Sequence, residues 1–365
     1  MRTTPEAAWL ALPQPFLARE ARAVGLTSTA IAGAVRRGQL VVPAPHVYAA
    51  SEAWSALSPV AAHLGLARAG QVSVAGSVVS HATAALLHGL PQPWGPMGSS
   101  VCLTALQTTR TAATEDWRRV LDGALSPDDV TEVDGVRVTT VARTVIDCLR
   151  TLRLRDGLAI ADVALGRGLV AEEELRAVRC RQRRWPGIRT ADLGIVLADG
   201  RRESWLESAS VATAVALGWP PPMSQVSIHR LDGSFVGRVD LLWGGLGIVG
   251  EADGRSKYLG SFDEQWDADR AATFILRERD RERELESMGL VVARWGTAEL
   301  RDGGAGLDAA LVRARRRADA ARVRCSWRLD QGDGLRDWRD MPPGLRIPAH
   351  LLPRGRHPGR RNPTW

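Results

Sequence analysis

Five residues in the stretch from 207 to 257 carry the side chains that phosphodiester hydrolysis needs: Glu207, Asp240, Glu251, Asp253 and Lys257. Three carboxylates meeting in a solvent-reachable cleft are what a hard divalent cation such as Mg²⁺, or Mn²⁺ in its place, takes as ligands. Such an ion polarises a phosphodiester and generates hydroxide for in-line attack. A lysine nearby supplies positive charge for the phosphate as negative charge builds on it. Lys257 is the single lysine in a chain with 48 basic residues, so its placement four residues after Asp253 stands out. The plainer alternative makes it a surface residue on a fold kept for binding alone.

For these groups to meet, the chain between 201 and 300 must supply the right elements. Glu203-Ser204-Trp205-Leu206-Glu207 opens a helix that runs to Gly218. Gln225 to His229 reads as a strand, Asp232-Gly233 as a tight hairpin turn, and Phe235 to Trp243 as its partner. A third strand covers Gly247 to Asp253, a long charged helix covers about Asp263 to Met288, and a last strand covers Leu290 to Trp295. Side chains alternate along a strand, so Glu251 and Asp253 project together while Ala252 turns away. Acids in two neighbouring strands can meet at one point, and Glu207 on the preceding helix can approach it. No glycine-rich nucleotide loop is present, which argues against a doubly wound nucleotide fold.

A second candidate site lies near the start. Phe16, Leu17 and Ala21 lead to Val24-Gly25, Thr27 or Ser28 caps a helix with Ile31 and Val35 on one face, and that helix stops at Arg36-Arg37-Gly38. Leu40-Val41-Val42 and Val47-Tyr48-Ala49 alternate as a two-stranded wing. Helix, turn, helix and wing make a winged helix-turn-helix, whose second helix enters the major groove of double-stranded DNA. Ser28 and Thr29 would then face bases, with Arg36 and Arg37 on phosphates. The competing reading is a winged helix used for protein contacts, with the arginines as a solvated helix end.

Charge and composition set bounds. The chain has 365 residues, enough for several domains, with 45% hydrophobic and 24% charged residues, values typical of globular proteins. The formal net charge is +7, yet residues 301–365 alone carry +8, so everything before them is nearly neutral. Overall basicity therefore says little about the folded part, although a basic tail adds phosphate contacts without sequence preference. No apolar run approaches the roughly 20 residues of a membrane helix and the start lacks a signal-peptide pattern, so a cytoplasmic protein without membrane contact is expected. Four scattered cysteines form no disulfide or zinc pattern. His81 and His88, seven apart, have no carboxylate or cysteine beside them and read as packing or capping residues, and Asp147 in its apolar helix as hydrogen-bonded structure.

Residues 203–300 resemble the PD-(D/E)xK restriction-endonuclease-like superfamily, in its very-short-patch-repair-like branch. There a helix Glu, a strand Asp and a downstream Glu-x-(acid or Lys) build the metal site, and Glu207, Asp240 and Glu251 match those positions. The superfamily commonly has Lys two residues after the Glu, where this chain has Asp253, and the resemblance then implies that Lys257 folds back to replace it. Residues 14–50 resemble the winged-helix domain of AbiEi-type antitoxins, and segment 76–150 fits the same set. The expected architecture is α/β (α+β). It comprises a winged helix-turn-helix at 1–56, a mixed α/β middle domain at 57–152, and a helical connector at 153–200. A restriction-endonuclease-like core with a mixed central sheet follows at 201–300, then a basic helix at 301–325 and a disordered basic tail at 326–365. Two functions follow: a Mg²⁺- or Mn²⁺-dependent deoxyribonuclease positioned on duplex DNA, or a non-enzymatic antitoxin-like regulator that binds DNA and a cognate toxin.

Overall fold

The computed structural model describes residues 4–95, 100–105, 115–252, 268–329, 333–342 and 344–352. The chain divides into two compact units, one made of Met1–Thr151 with Glu173–Arg181 and the other of Leu152–Glu172 with Gln182–Trp365. Both are mixed α/β, as expected.

In the first unit, α1 (Pro5–Leu10), β1 (Phe16–Leu17), α2 (Ala18–Ala23), α3 (Ser28–Arg36), β2 (Leu40–Ala44), β3 (Val47–Ala50) and α4 (Ser51–Ser55) come first. Thr27 starts α3 by accepting the Ala30 amide on its hydroxyl at 3.1 Å. Gly38, at φ +71°, ends it in the left-handed conformation that costs glycine least. Strands β2 and β3 form an antiparallel hairpin, and β1 adds to the outer side of β3. Phe16, Leu26, Ile31 and Leu40 close a small core beneath the helices.

The chain continues as α5 (Pro59–Ser73), β4 (Val78–Val79), α6 (His81–Leu87), β5 (Val101–Ala105), β6 (Arg118–Asp122), β7 (Val130–Val133), β8 (Val136–Thr139) and α7 (Val141–Thr151). The strands form a mixed sheet in the order β6-β5-β4-β8-β7. Helix α7 buries a charged network. Arg143 donates to Asp147 at 2.7 Å and to Asp129 at 3.0 Å, and Arg150 and Arg181 hold the outer oxygens of the same two carboxylates. Asp147 is thus hydrogen-bonded structure, as its apolar helix predicted.

The second unit contains α8 (Leu154–Gly166), with α9 (Glu172–Arg181) passing back to the first unit from Glu173 onward. It continues with α10 (Ile188–Leu197), α11 (Trp205–Ala216), β9 (Met223–His229), β10 (Phe235–Trp243), β11 (Ile248–Ala252), α12 (Ala268–Ser287), β12 (Val291–Trp295), α13 (Ala305–Arg317), β13 (Ser326–Arg328) and β14 (Arg336–Asp337). Its sheet runs β12-β11-β10-β9-β13-β14, with β11 and β12 parallel and the other pairs antiparallel. The β9–β10 hairpin turns at Asp232-Gly233, where Gly233 sits at φ +89° and the Asp232 carboxylate accepts the Ser234 amide at 2.8 Å.

Two expectations are corrected here. Segment 153–200 is not a connector: Leu158, Leu193 and Leu197 belong to the main core of the second unit, beside Leu206, Leu241 and Trp295. The tail is not disordered from residue 326. Strand β13 pairs with β9, Trp327 is fully buried among Val226, Ile228 and Leu285, and Trp338 joins them. The charged and small residues around these tryptophans hide an apolar pattern that becomes visible only when the sheet supplies its other half. Residues 353–365 lie outside the described part.

Candidate functional site

The best candidate lies where β10 and β11 run side by side. Their register pairs Leu241 with Gly250, and Asp240 and Glu251 are the next residues beyond that pair on their two strands. At that point the Asp240 carboxylate accepts the Ala252 amide at 2.9 Å. A side-chain oxygen thus serves as acceptor for an amide of the neighbouring strand. Glu251 is 8% exposed and receives an N–H of Arg281, from α12, at 3.1 Å. A second N–H of Arg281 goes to the Arg238 carbonyl at 3.1 Å. Arg281 can cross β10 because residue 237 is glycine: a Cβ there would lie 2.9 Å from Arg281 Cδ.

Glu207, on the helix that precedes these strands, is held by hydrogen bonds from the chain itself. Ser204 is the N-cap of α11, accepting the Glu207 amide at 3.2 Å and donating its hydroxyl back to the carboxylate at 2.7 Å. The Glu203 amide gives the carboxylate a further donor at 3.1 Å. Ser204 thus caps the helix start, and the Glu207 carboxylate holds the cap hydroxyl and the amide of the residue before it. Gln225 completes the set with a 2.7 Å hydrogen bond from its side-chain amide. Gln225 has φ +55°, an uncommon conformation for a residue with a side chain.

Asp240 and Glu251 together offer the hard oxygen donors that Mg²⁺ takes. The expected gathering of three carboxylates is not formed, since no group of three or more potential ligands among the described residues is placed to hold a metal. Its physical reason is that Glu207, fully buried, is held by Ser204, the Glu203 amide and Gln225. Asp253 and Lys257 lie outside the described residues. Sequence reasoning missed Gln225 and Arg281. The Ser204–Glu207 hydrogen bond was readable from the Ser-x-x-Glu spacing, whereas Arg281 reaches Glu251 from thirty residues away and leaves no local signal.

In the first unit, Ser28 and Thr29 are exposed at the start of α3, and Arg36 and Arg37 are exposed at its end. Arg37 donates to the Gln39 side chain at 3.0 Å. The histidines separate into unrelated contacts: His81 pairs with the Ser80 hydroxyl at 2.9 Å and His88 with the Thr139 carbonyl at 2.7 Å. Burial pushes His81 down to about 4, outweighing the pull of the Asp147 carboxylate in the other direction. All four cysteines are free thiols, and burial raises those of Cys102, Cys148 and Cys325.

No family model matches this chain. It is similar to two uncharacterized proteins of Mycobacterium tuberculosis, MT2308 of strain CDC 1551 and Rv2248 of strain H37Rv, each 30% identical over 160 residues. The match covers 44% of this chain and spans only about half of each relative, 55% of its length. Among the described residues no helix is long and apolar enough to cross a membrane.

Proposed function

We propose that this chain binds double-stranded DNA through α3 and carries in its second unit a metal-dependent, restriction-endonuclease-like domain that hydrolyses DNA phosphodiesters. The observation that carries the reading is the adjacency of Asp240 and Glu251 on β10 and β11, inside an element order of helix, three strands, helix and parallel strand. The exposed Ser28, Thr29, Arg36 and Arg37 on a helix followed by a hairpin support the winged-helix part.

Asp240 and Glu251 would hold the ion, which when bound supplies Lewis-acid polarisation of the phosphodiester. The chain's own residues prepare the place. The Ala252 amide fixes the Asp240 carboxylate, and Arg281 orients that of Glu251 while balancing its charge. Glu207 and Gln225 tie the start of α11 to β9, so that the helix beside the acids is held in position. The test is nicking of supercoiled plasmid by the full chain with Mn²⁺, together with the melting temperature as Mn²⁺ is added. Nicking and a metal-linked rise are expected in the native chain, with both lost in Asp240→Asn and Glu251→Gln. A native chain that shows neither rejects hydrolysis.

A second reading has its own observation. Glu207 and Glu251 already have donors from the chain, and the position two residues after Glu251 is Asp253 where the superfamily commonly has lysine. Those features favour a nuclease fold retained for binding, which makes the protein an AbiEi-like regulator of a toxin gene. A DNA footprint without cleavage, and capture of a cognate toxin, would support it.

A further inference from the structure

A cleft of about 510 Å³ in the second unit is lined among others by Asp162, Arg201, Arg202, Glu203, Gln225 and Arg238. Its volume falls in the range of sites that hold a small ligand. Four arginines line it, Arg167 being the fourth, and of these Arg201, Arg202 and Arg238 are paired with Asp199, Asp162 and Glu203, so an anion can enter only by exchanging with one of those carboxylates.

The arginines divide by burial. Arg202 is 6% exposed and locked, giving N–H groups to Asp162 at 2.6 Å, Ser224 at 3.0 Å and the Leu197 carbonyl at 2.6 Å. It forms part of the floor, together with the close backbone approach at Gly166, where a Cβ would collide with the Gly200 carbonyl oxygen. Arg201 is held as a two-pronged pair on Asp199, both contacts at 2.9 Å. Arg238 is held by less than Arg201 and Arg202. Its side chain is half-exposed and makes a single-pronged pair with the equally exposed Glu203 at 2.6 Å. Exposed pairs of this kind contribute little, so a phosphate can displace the carboxylate at small cost. Arginine recognises phosphate through two parallel N–H donors, which gives the exchange a favourable direction.

Three of the lining residues are hydrogen-bonded to residues of the candidate site. Gln225 holds Glu207, the Glu203 amide donates to Glu207, and the Arg238 carbonyl receives Arg281, whose other N–H meets Glu251. Arg238 stands two positions before Asp240 on β10. We infer that this cleft is a subsite for a phosphate of the DNA strand next to the one at Asp240 and Glu251, with Arg238 as the residue that recognises it and Glu203 as its gate. The inference rests on the DNA-cleaving reading above.

The two side chains of the gate make opposite predictions. Arg238→Ala removes a phosphate contact, so the slope of log affinity against log salt should fall by about one and affinity at low salt by roughly tenfold. Glu203→Gln removes the competing carboxylate, so affinity should rise severalfold. Binding is measured on the full chain with a short labelled duplex in chelator, where no cleavage occurs. A charge-matched control uses Arg317→Ala and Glu286→Gln, an exposed ion pair that does not line the cleft. Those changes should leave the slope nearly unaltered. Equal shifts at both pairs, or none at Arg238 and Glu203, overturn the subsite. Absence of nicking with the opposite shifts intact rejects only the nuclease reading and leaves a phosphate-binding cleft. Where the subsite holds and nicking occurs, Arg238→Ala should raise KM with little change in kcat, the signature of a group that binds rather than reacts.

Discussion

Arg143 in the first unit and Arg202 in the second are both almost fully buried guanidiniums, yet they meet different numbers of carboxylates. Arg143 lies between Asp129 and Asp147, and two further arginines, Arg150 and Arg181, hold the other oxygens. Arg202 has one carboxylate, Asp162, which also accepts the Ser208 hydroxyl and the Asp199 amide. The protonation chemistry diverges accordingly. Burial pushes Asp129 up, but the Arg181 hydrogen bond, the Ser126 amide and the charges of Arg143 and Arg181 outweigh it and hold the carboxyl below its usual range. For Asp162 burial wins over its single cation, and the carboxyl is pushed up to about 6. Asp162 is desolvated more deeply than Asp129 and has one cation where Asp129 has two, and both differences push its carboxyl the same way.

The largest effects should come from removing these cations. Arg143→Met leaves two carboxylates in the first unit short of a partner and should cost roughly 3–5 kcal/mol. Arg202→Met should cost less, because Asp162 is already inclined to take a proton. The sign is definite: a carboxyl raised above its unfolded value of 3.8 contributes stability below that pH and loses it as pH rises through about 6. The penalty of Arg202→Met should therefore shrink when denaturant unfolding is repeated on the acid side of pH 6. Penalties of equal size, unchanged with pH, would break the comparison.

A smaller and opposite pH effect belongs to the first unit. His81 is buried with its pKa pushed down from 6.5 to about 4, first by burial, with the Asp147 carboxylate opposing and Arg150, Arg143 and Arg119 assisting. A depressed histidine contributes stability that is complete above 6.5 and disappears as pH falls towards 4. The size is at most roughly 3 kcal/mol, from about 1.4 kcal/mol per pH unit. Hydrogen exchange can read both units in one sample. Amides of β5 and β8 should lose protection on acidification while those of β9 and β10, beside Asp162, do not, and His81→Gln should abolish the difference. Parallel loss in the two units would show that neither buried group governs its own surroundings.

How much of this was legible in the sequence follows the same division between exposed and buried. Turn and cap signals are local, so Thr27 before α3, Asp232-Gly233 between β9 and β10, and Ser204 before α11 mark their elements correctly. That Asp240 and Glu251 stand on neighbouring strands follows once the strands are placed. What escaped depends on partners far along the chain. Gln225 abandons ordinary strand geometry to reach Glu207, and Arg281 needs Gly237 to reach Glu251. Trp327 and Trp338 make sense only when β9 offers its edge, and α8 and α10 only when α11 offers an apolar face. An acid recognised by type alone can serve as a ligand or as an acceptor within the fold, and Glu207 accepts from Ser204, Glu203 and Gln225.

The smallest expected effect on stability, and the sharpest on binding, lies on the exposed face of α3. Arg36 and Arg37 stand in solvent at the end of the helix, while Ser28 and Thr29 stand at its start. Changing Arg36 and Arg37 together to Ala should leave the unfolding midpoint within about 0.5 kcal/mol, as for surface positions generally. Each phosphate contact releases close to one counterion, so the double change should lower the salt slope of duplex binding by about two and weaken all sequences alike. Substituting Ser28 or Thr29 should do the converse, altering the order of preferred sequences while keeping the slope, because base contacts carry specificity and little of the counterion release. Filter binding across a salt series on a panel of duplexes separates the two. Unchanged slopes and preferences for all four changes would mean that α3 does not meet DNA.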